Sequence, residues 1–218
     1  MRLVLLGAPG AGKGTMAAEL TKKYKITHIS TGDIFRENIR DNTSLGQEAK
    51  RYMDQGFLVP DDITIQMVRE RLSHEDCSEG FLLDGYPRTS EQALALEEML
   101  KEKNQSLDGV IRLSVSRETI ISRLSSRRVC MDCSAVYNTG MNPPKQEHQC
   151  DHCGGRVIRR DDDEPETIAT RLQTYHERTA PLIEWYQKKG LIIDVNNEVS
   201  SKHAAIQAMT ALDAREVK

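Results

Sequence analysis

Short apolar runs of three to six residues alternate along the chain with longer stretches of helical periodicity. The runs cover residues 2–6, 26–29, 81–83, 110–115 and 191–195. Continuous apolar runs of this length are typical of strands that are buried on both faces of a parallel sheet. We therefore predict an α/β fold with a five-stranded parallel sheet flanked by helices.

Capping residues and prolines indicate where the intervening helices begin and end. Ser90 precedes a helical pattern over residues 91–101 and is the expected N-cap. Pro165 stands in the first turn of a long helix, which we expect Pro181 to bend. Residues 201–217 are predicted to form a closing amphipathic helix.

Two segments, residues 30–59 and 127–163, break this alternation. A chain of 218 residues suits one principal domain with a substantial core, so we interpret both segments as small inserted domains. The core domain would then consist of residues 1–29, 60–126 and 164–218.

The composition argues against a membrane protein. Mean hydropathy is −0.55, and no apolar run approaches the ~18 residues needed to span a bilayer. The N-terminus also lacks the basic and then apolar layout of a signal peptide. We expect a soluble, cytoplasmic protein.

Arginine is concentrated in one part of the chain. Nine of the 18 Arg lie between Arg117 and Arg178, a stretch that holds only one Lys, Lys145. Arg offers planar forks that match phosphate, whereas Lys offers a point charge. The stretch therefore favours a phosphate site, with a solvated helix face paired to acidic residues as the alternative.

A glycine-rich loop follows the first predicted strand. Residues 7–15 read Gly-Ala-Pro-Gly-Ala-Gly-Lys-Gly-Thr and lead into a helix that begins at Lys13. Backbone N–H groups of such a loop, the helix N-terminus and the Lys ammonium group together hold nucleotide phosphates. Gly14 stands where Ser or Thr normally follows the Lys, and the hydroxyl comes one residue later at Thr15. The loop predicts a nucleoside triphosphate site of the P-loop type.

A second acidic element is expected at the same edge of the sheet. Asp84 directly follows the apolar run 81–83, so it would lie near the glycine-rich loop and orient a metal ion. Alternatively, Asp84 caps the turn at Gly85.

Four cysteines form two Cys-x2-Cys pairs separated by 16 residues, Cys130 with Cys133 and Cys150 with Cys153. This spacing is typical of tetrahedral zinc sites built from two hairpin knuckles. Disulfides are less favoured in a chain without an export signal. Four thiolates leave no open position, so we expect a structural zinc ion.

A zinc ribbon also raises the possibility of a nucleic-acid-stimulated ATPase. Residues 130–155 carry a formal charge of −2 and a single aromatic residue, Tyr137. Because nucleic-acid binding needs basic and stacking side chains, we expect no nucleic-acid partner.

Several short motifs together resemble the nucleoside monophosphate kinases, and the adenylate kinase family in particular, of the long-lid, zinc-containing bacterial type. The resemblance spans the whole chain. It rests on Gly-Lys-Gly-Thr at residues 12–15, Asp-Gly-Tyr-Pro-Arg at 84–88, Ser-Thr-Gly-Asp at 30–33 with Arg36, Leu-Val-Pro at 58–60, Gln92, Arg127-Arg128, Arg160-Asp161-Asp162 and Arg171. Arg159 beside Arg160 leaves open which of the two meets phosphate.

The resemblance implies a P-loop NTPase fold and assigns roles to individual residues. Residues 30–59 would be an AMP-binding insertion and residues 127–163 a zinc-containing lid. The implied ATP-binding residues are Gly10, Gly12, Lys13, Gly14, Thr15, Arg123, Arg127, Val136 and Tyr137. The implied AMP-binding residues are Thr31, Arg36, Phe57, Leu58, Val59, Gly85, Arg88, Gln92, Arg160 and Arg171. The implied catalytic residues are Lys13, Arg88, Arg123, Arg127, Arg160, Arg171, Asp84, Asp162 and Asp163.

The resemblance also implies an activity, reversible transfer of a phosphoryl group from MgATP to AMP, giving two ADP. Gln92 would read adenine, because an amide presents a donor and an acceptor together. A UMP/CMP kinase or a kinase that uses GTP is the nearest alternative. We expect Mg²⁺ with ATP, a structural Zn²⁺, the ligands ATP, AMP and ADP, and a monomer.

Overall fold

A computed structural model describes residues 1–216, and its core is a five-stranded parallel sheet. The chain begins with β1 (Arg2–Leu6), α1 (Lys13–Tyr24) and β2 (Thr27–Ser30), which α2 (Thr31–Arg40), α3 (Ser44–Met53) and α4 (Asp61–Arg71) follow. Next come β3 (Phe81–Asp84), α5 (Ser90–Glu102), β4 (Gly109–Ser114) and α6 (Arg117–Ser125). The strands β5 (Arg127–Cys130), β6 (Val136–Asn138) and β7 (Val157–Ile158) lead to α7 (Pro165–Thr174), α8 (Pro181–Lys188), β8 (Ile192–Asn196) and α9 (Ser201–Glu216).

The core sheet has the order β2-β3-β1-β4-β8, with every neighbouring pair parallel. Along β1, Val4 and Leu6 pack into one hydrophobic layer, whereas Leu3 and Leu5 pack into the layer on the opposite face. Both faces are covered, which explains the continuous apolar runs. The predicted five-stranded α/β sheet is confirmed.

The predicted helix boundaries need two corrections. Thr89, not Ser90, is the N-cap of α5, and its hydroxyl accepts a hydrogen bond from the Gln92 backbone N–H. The long helix after Pro165 is interrupted, because a π-helical turn at Tyr175–Thr179 separates α7 from α8, which Pro181 begins. Of the predicted closing helix, Val217 lies outside the described residues.

The two predicted insertions differ in structure. Residues 30–59 contain the helices α2 and α3. Residues 127–163 form a three-stranded antiparallel sheet of order β6-β5-β7, which the sequence pattern did not predict. Among residues 1–216, no helix is long and apolar enough to cross a membrane.

The carboxyl ends of the core strands meet at one edge of the sheet. Leu5 of β1 is paired with Asp84 of β3, and Asp84 is paired with Ser30 of β2. On the other side of β1, β4 ends at Ser114 beside Asn196 of β8. Ligands of open α/β sheets bind at this edge.

Candidate active site

The glycine-rich loop connects β1 to α1 at the carboxyl edge of the sheet. Lys13 begins α1, and its Nζ donates to Gly7 O (2.8 Å) and Ala8 O (3.1 Å) across the loop. Gly12 has a φ of 91°, and a Cβ there would collide with Nδ2 of Asn197. Gly10 also has a positive φ, of 79°. Gly14 and Thr15 lie exposed in the first turn of the helix. The loop thus has the strand–loop–helix context that a phosphate site requires.

Burial lowers the pKa of the Lys13 ammonium group in this loop to about 8. The negative charge of Asp84 opposes this shift, while the positive charges of Arg88 and Arg171 add to it. A bound polyphosphate would restore the charged form of Lys13.

Asp84 lies at the end of β3, largely buried. Burial alone would raise the pKa of its carboxyl group, but the adjacent His28 and the charge of Lys13 outweigh that effect and keep it lowered. His28 Nε2 lies 3.8 Å from Asp84 Oδ2. Asp84 is therefore ionised and beside the phosphate loop, where a metal-bound phosphate would lie.

A fully buried carboxylate at the end of the lid organises two arginines, one from each side of the lid segment. Asp163 accepts hydrogen bonds from Arg127 Nε (2.7 Å) and Nη2 (2.6 Å) and from Arg171 Nη1 (2.9 Å). Asp162 lies 3.1 Å from the same Arg171 nitrogen. Both acidic side chains orient guanidinium groups, since multiple charge-assisted hydrogen bonds fix a planar fork.

The neighbouring residues Arg159 and Arg160 differ in their contacts and in their charge environment. Arg159 donates to Asp163 O (2.6 Å) and lies 3.3 Å from Glu164, so its fork is engaged by protein. Burial, with the nearby charges of Arg36 and Arg127, lowers the pKa of Arg160 to about 9. Arg160 thus faces an excess of positive charge that an anionic ligand would neutralise, and it is the better candidate for a phosphate contact.

Most of the residues predicted for AMP line one cavity beside the phosphate loop. Arg88 is half-buried there, and desolvation together with the charge of Arg171 lowers its pKa to about 10. Thr31 Oγ1 donates to Gly85 O (2.9 Å), which ties α2 to the turn after β3. The predicted site residues that line the wall of this cavity are Lys13, Thr31, Arg36, Phe57, Leu58, Val59, Gly85, Arg88, Gln92, Asp162 and Arg171.

Other predicted residues lie outside that wall. Arg123 comes from α6, and its Nη2 donates to Asn197 O (2.8 Å) and Glu198 O (3.1 Å) near the phosphate loop. Val136 lies half exposed on the lid sheet. Tyr137 is buried in the lid, so any contact with a base would have to use its main chain.

Sequence reasoning missed Asn197, a fully buried residue just after β8. Its Nδ2 donates to Ala11 O (2.7 Å) in the phosphate loop, and its backbone N–H donates to Ser114 O (3.0 Å). Asn197 therefore links the phosphate loop, β4 and Arg123. Its position at the carboxyl end of a core strand is the signal that could have identified it.

The four predicted metal ligands converge at one point of the lid. Their sulfur atoms lie within 4.8 Å of one another. Cys130 and Cys133 flank the turn between β5 and β6, and Cys150 and Cys153 belong to the second knuckle. Four thiols at this spacing suit tetrahedral Zn²⁺. His148 and His152 are not members of this cluster.

Comparisons with known proteins agree with this geometry. The family model for adenylate kinase matches residues 5–191. The chain is 51% identical to the adenylate kinase of Acetivibrio thermocellus over 212 residues, which cover 97% of this chain and 98% of that protein. It is 53% identical over 193 residues to the adenylate kinase of Caldicellulosiruptor bescii, covering 88% of this chain and 90% of the relative. The adenylate kinase of Clostridium beijerinckii is 54% identical over 196 residues, with 90% and 91% coverage. With the phosphate loop, the arginine-lined cavity and matches that extend over nearly its whole length, the chain belongs to the adenylate kinase family.

Proposed function

We propose that this protein transfers the terminal phosphoryl group of MgATP to AMP, reversibly, giving two ADP. The observation that carries the proposal is the cavity in which Lys13 of the phosphate loop shares a wall with Arg36, Arg88 and Arg171. A triphosphate on the loop and a monophosphate among these arginines would meet within a single site.

The chemistry needs positioning more than proton transfer. A phosphate monoester has a second pKa of roughly 6 and is largely dianionic at neutral pH, so AMP needs no general base. Catalysis then consists of in-line alignment and stabilisation of charge on the transferring group. We assign this to Lys13, Arg88, Arg123, Arg127, Arg160 and Arg171.

The carboxylates would act in two ways. Asp84 lies beside Lys13 and would orient the Mg²⁺ that ATP carries. Asp162 and Asp163 would hold Arg171 and Arg127 in the orientation that phosphate requires.

We propose that the two insertions close the site. Residues 30–59 would bind AMP, since Arg36 and Thr31 belong to them, and they already approach α7: a Cβ at Gly56 would lie 3.0 Å from Thr167 O. Residues 127–163 would cover ATP with Arg127 and exclude water, which could otherwise accept the phosphoryl group. Because one chain supplies all of these residues, we propose that a monomer is active.

We propose that Cys130, Cys133, Cys150 and Cys153 hold a structural Zn²⁺. The lid contains only a small buried cluster around Tyr137 and Val157, so the metal would supply stability that its core cannot. Because four thiolates complete a tetrahedral sphere, the ion would take no part in phosphoryl transfer.

Two substitutions test the proposed function. Lys13→Ala and Arg88→Ala should each lower kcat for ADP formation by about a hundredfold or more, because each removes a donor to the transferring group. Lys22→Ala, at an exposed position of α1, and Arg69→Ala, in an exposed ion pair with Glu102, are matched controls. Near-normal turnover in both site variants, with their melting temperatures unchanged, would refute the assignments.

A further inference from the structure

The cavity wall contains a glutamine whose amide is held in one orientation. Gln92 in α5 is only 1% exposed. Its Oε1 accepts a hydrogen bond from the Arg88 backbone N–H (2.8 Å), and its Nε2 donates to Asp61 Oδ1 (2.6 Å).

Both partners dictate which end of the amide faces them. A backbone N–H can only donate, and an ionised carboxylate can only accept. Rotating the Gln92 amide by half a turn would set N–H against N–H and oxygen against carboxylate. The orientation therefore follows from the chemistry of the partners.

Asp61 is itself fixed in place. Its second oxygen accepts from Thr89 Oγ1 (2.9 Å), the hydroxyl that caps α5. Asp61 is also the first residue of α4, where the helix dipole favours negative charge. A charged acceptor is thus built into the wall behind Gln92.

The two held contacts leave Gln92 one N–H and one oxygen lone pair to offer to a ligand. Adenine presents an amino donor at position 6 and an acceptor at N1. The 6-oxopurines present the reverse, an acceptor at position 6 and an N1–H donor. Only a rotated amide would suit a 6-oxopurine with the same placement.

We propose that Asp61 is a specificity-determining positioning residue, which locks the Gln92 amide in the orientation that accepts adenine and rejects 6-oxopurine monophosphates. This inference rests on the proposed function, because it assumes that a nucleoside monophosphate binds in this cavity. Asp61 acts through Gln92 and need not touch the substrate.

The test compares AMP with IMP as acceptor in the full-length protein. Asp61→Ala removes the charged acceptor and should lower the ratio of kcat/KM for AMP to kcat/KM for IMP by about ten- to a hundredfold, the range expected for a charge-assisted hydrogen bond. The KM for ATP should stay within about twofold, since Asp61 is not among the residues near the phosphate loop. Asp62→Ala is the matched control, because it removes the same charge from the same helical turn at an exposed position.

Asp61→Asn keeps the shape of the side chain and provides a second variant if the alanine protein does not fold. An amide can present either its oxygen or its NH2 group to Gln92, so it no longer dictates one orientation, and the AMP-to-IMP ratio should also fall, by less than in Asp61→Ala. In a Gln92→Ala background, Asp61→Ala should leave the AMP-to-IMP ratio unchanged, because Asp61 acts only through the Gln92 amide, which this background lacks. An unchanged ratio in both Asp61 variants, or an equal fall without Gln92, overturns the inference. Failure of the wild-type protein to phosphorylate AMP would instead overturn the proposed function.

Discussion

Lys13 has an unusual electrostatic environment, an ammonium group buried beside several guanidinium groups. Burial and the charges of Arg88 and Arg171 outweigh the attraction of Asp84, so its pKa falls from 10.5 to about 8. Between pH 8 and 10.5 the unfolded chain therefore keeps the Lys13 proton, whereas the folded chain has largely lost it. Because the unfolded state binds more protons in this range, the free energy of unfolding increases as pH rises.

Binding of ATP should consequently weaken at alkaline pH. Above pH 8 the free protein carries a neutral Lys13, which must take up a proton to pair with phosphate, so the Kd for ATP should be about tenfold higher at pH 9 than at pH 7. Calorimetry in buffers of different ionisation enthalpy measures both the Kd and the proton uptake. Lys13→Ala is the control and should lose this dependence. A wild-type Kd that is flat from pH 7 to pH 9 would contradict the account.

Motifs with fixed spacing allowed many candidate site residues to be predicted from the sequence. The roles of other residues depend on tertiary contacts that the sequence does not show. The sequence left Arg159 and Arg160 equivalent, and they are distinguished by the contacts of Arg159 with Asp163 O and Glu164 and by the lowered pKa of Arg160. Asn197 and Asp61 belong to no motif that the sequence analysis recognised, since their importance depends on partners that are distant in sequence, Ala11 and Gln92.

The lid differs from the core sheet in what stabilises it. The core strands are buried on both faces, so their apolar runs made them predictable from the sequence. The lid strands β6 and β7 have three and two residues and carry no clear periodicity. The four cysteines bring the two knuckles of the lid together, and their spacing did predict this cluster.

Removal of the proposed zinc ion should loosen the lid and leave the core folded. With a strong chelator, we expect faster proteolysis within residues 127–163 and a lower melting temperature of the lid, because its core is too small to fold alone. Trp185, the only tryptophan, lies in α8 of the core, and its fluorescence should report an unchanged transition. Loss of the Trp185 transition on chelation, or an unaltered proteolysis pattern, would contradict this view.

One tyrosine should help to retain the proposed zinc ion. The Tyr137 hydroxyl accepts from the Asp151 N–H (2.8 Å) and lies 3.3 Å from Cys150 Sγ, to which it can donate. Outer hydrogen bonds to metal ligands are typically worth 10–100-fold in affinity. Tyr137→Phe should therefore release zinc to a colorimetric chelator about tenfold faster or more. Tyr52→Phe, in the other insertion, is the control, and equal release rates in the two variants would refute the contribution of this bond.

Two inserted segments flank one edge of the parallel core sheet. The core strands deliver the phosphate loop, Asp84 and Asn197 to that edge, while the insertions bring Arg36 from one side and Arg127 from the other. Burial and like charge lower the pKa values of Lys13, Arg88 and Arg160 together. Such an excess of positive charge is costly in the free protein and favourable only when several phosphates are bound.

Phosphoryl transfer to AMP is tested by following the γ-phosphate of labelled MgATP in the presence and absence of acceptor nucleotides. The label should appear in ADP when AMP is present, with two ADP formed per ATP consumed. CMP, UMP and GMP should be poor acceptors, GTP should be a poor donor, and little inorganic phosphate should form without AMP. Release of the label as inorganic phosphate without AMP, stimulated by DNA or RNA, would show instead that the protein is a nucleic-acid-stimulated ATPase.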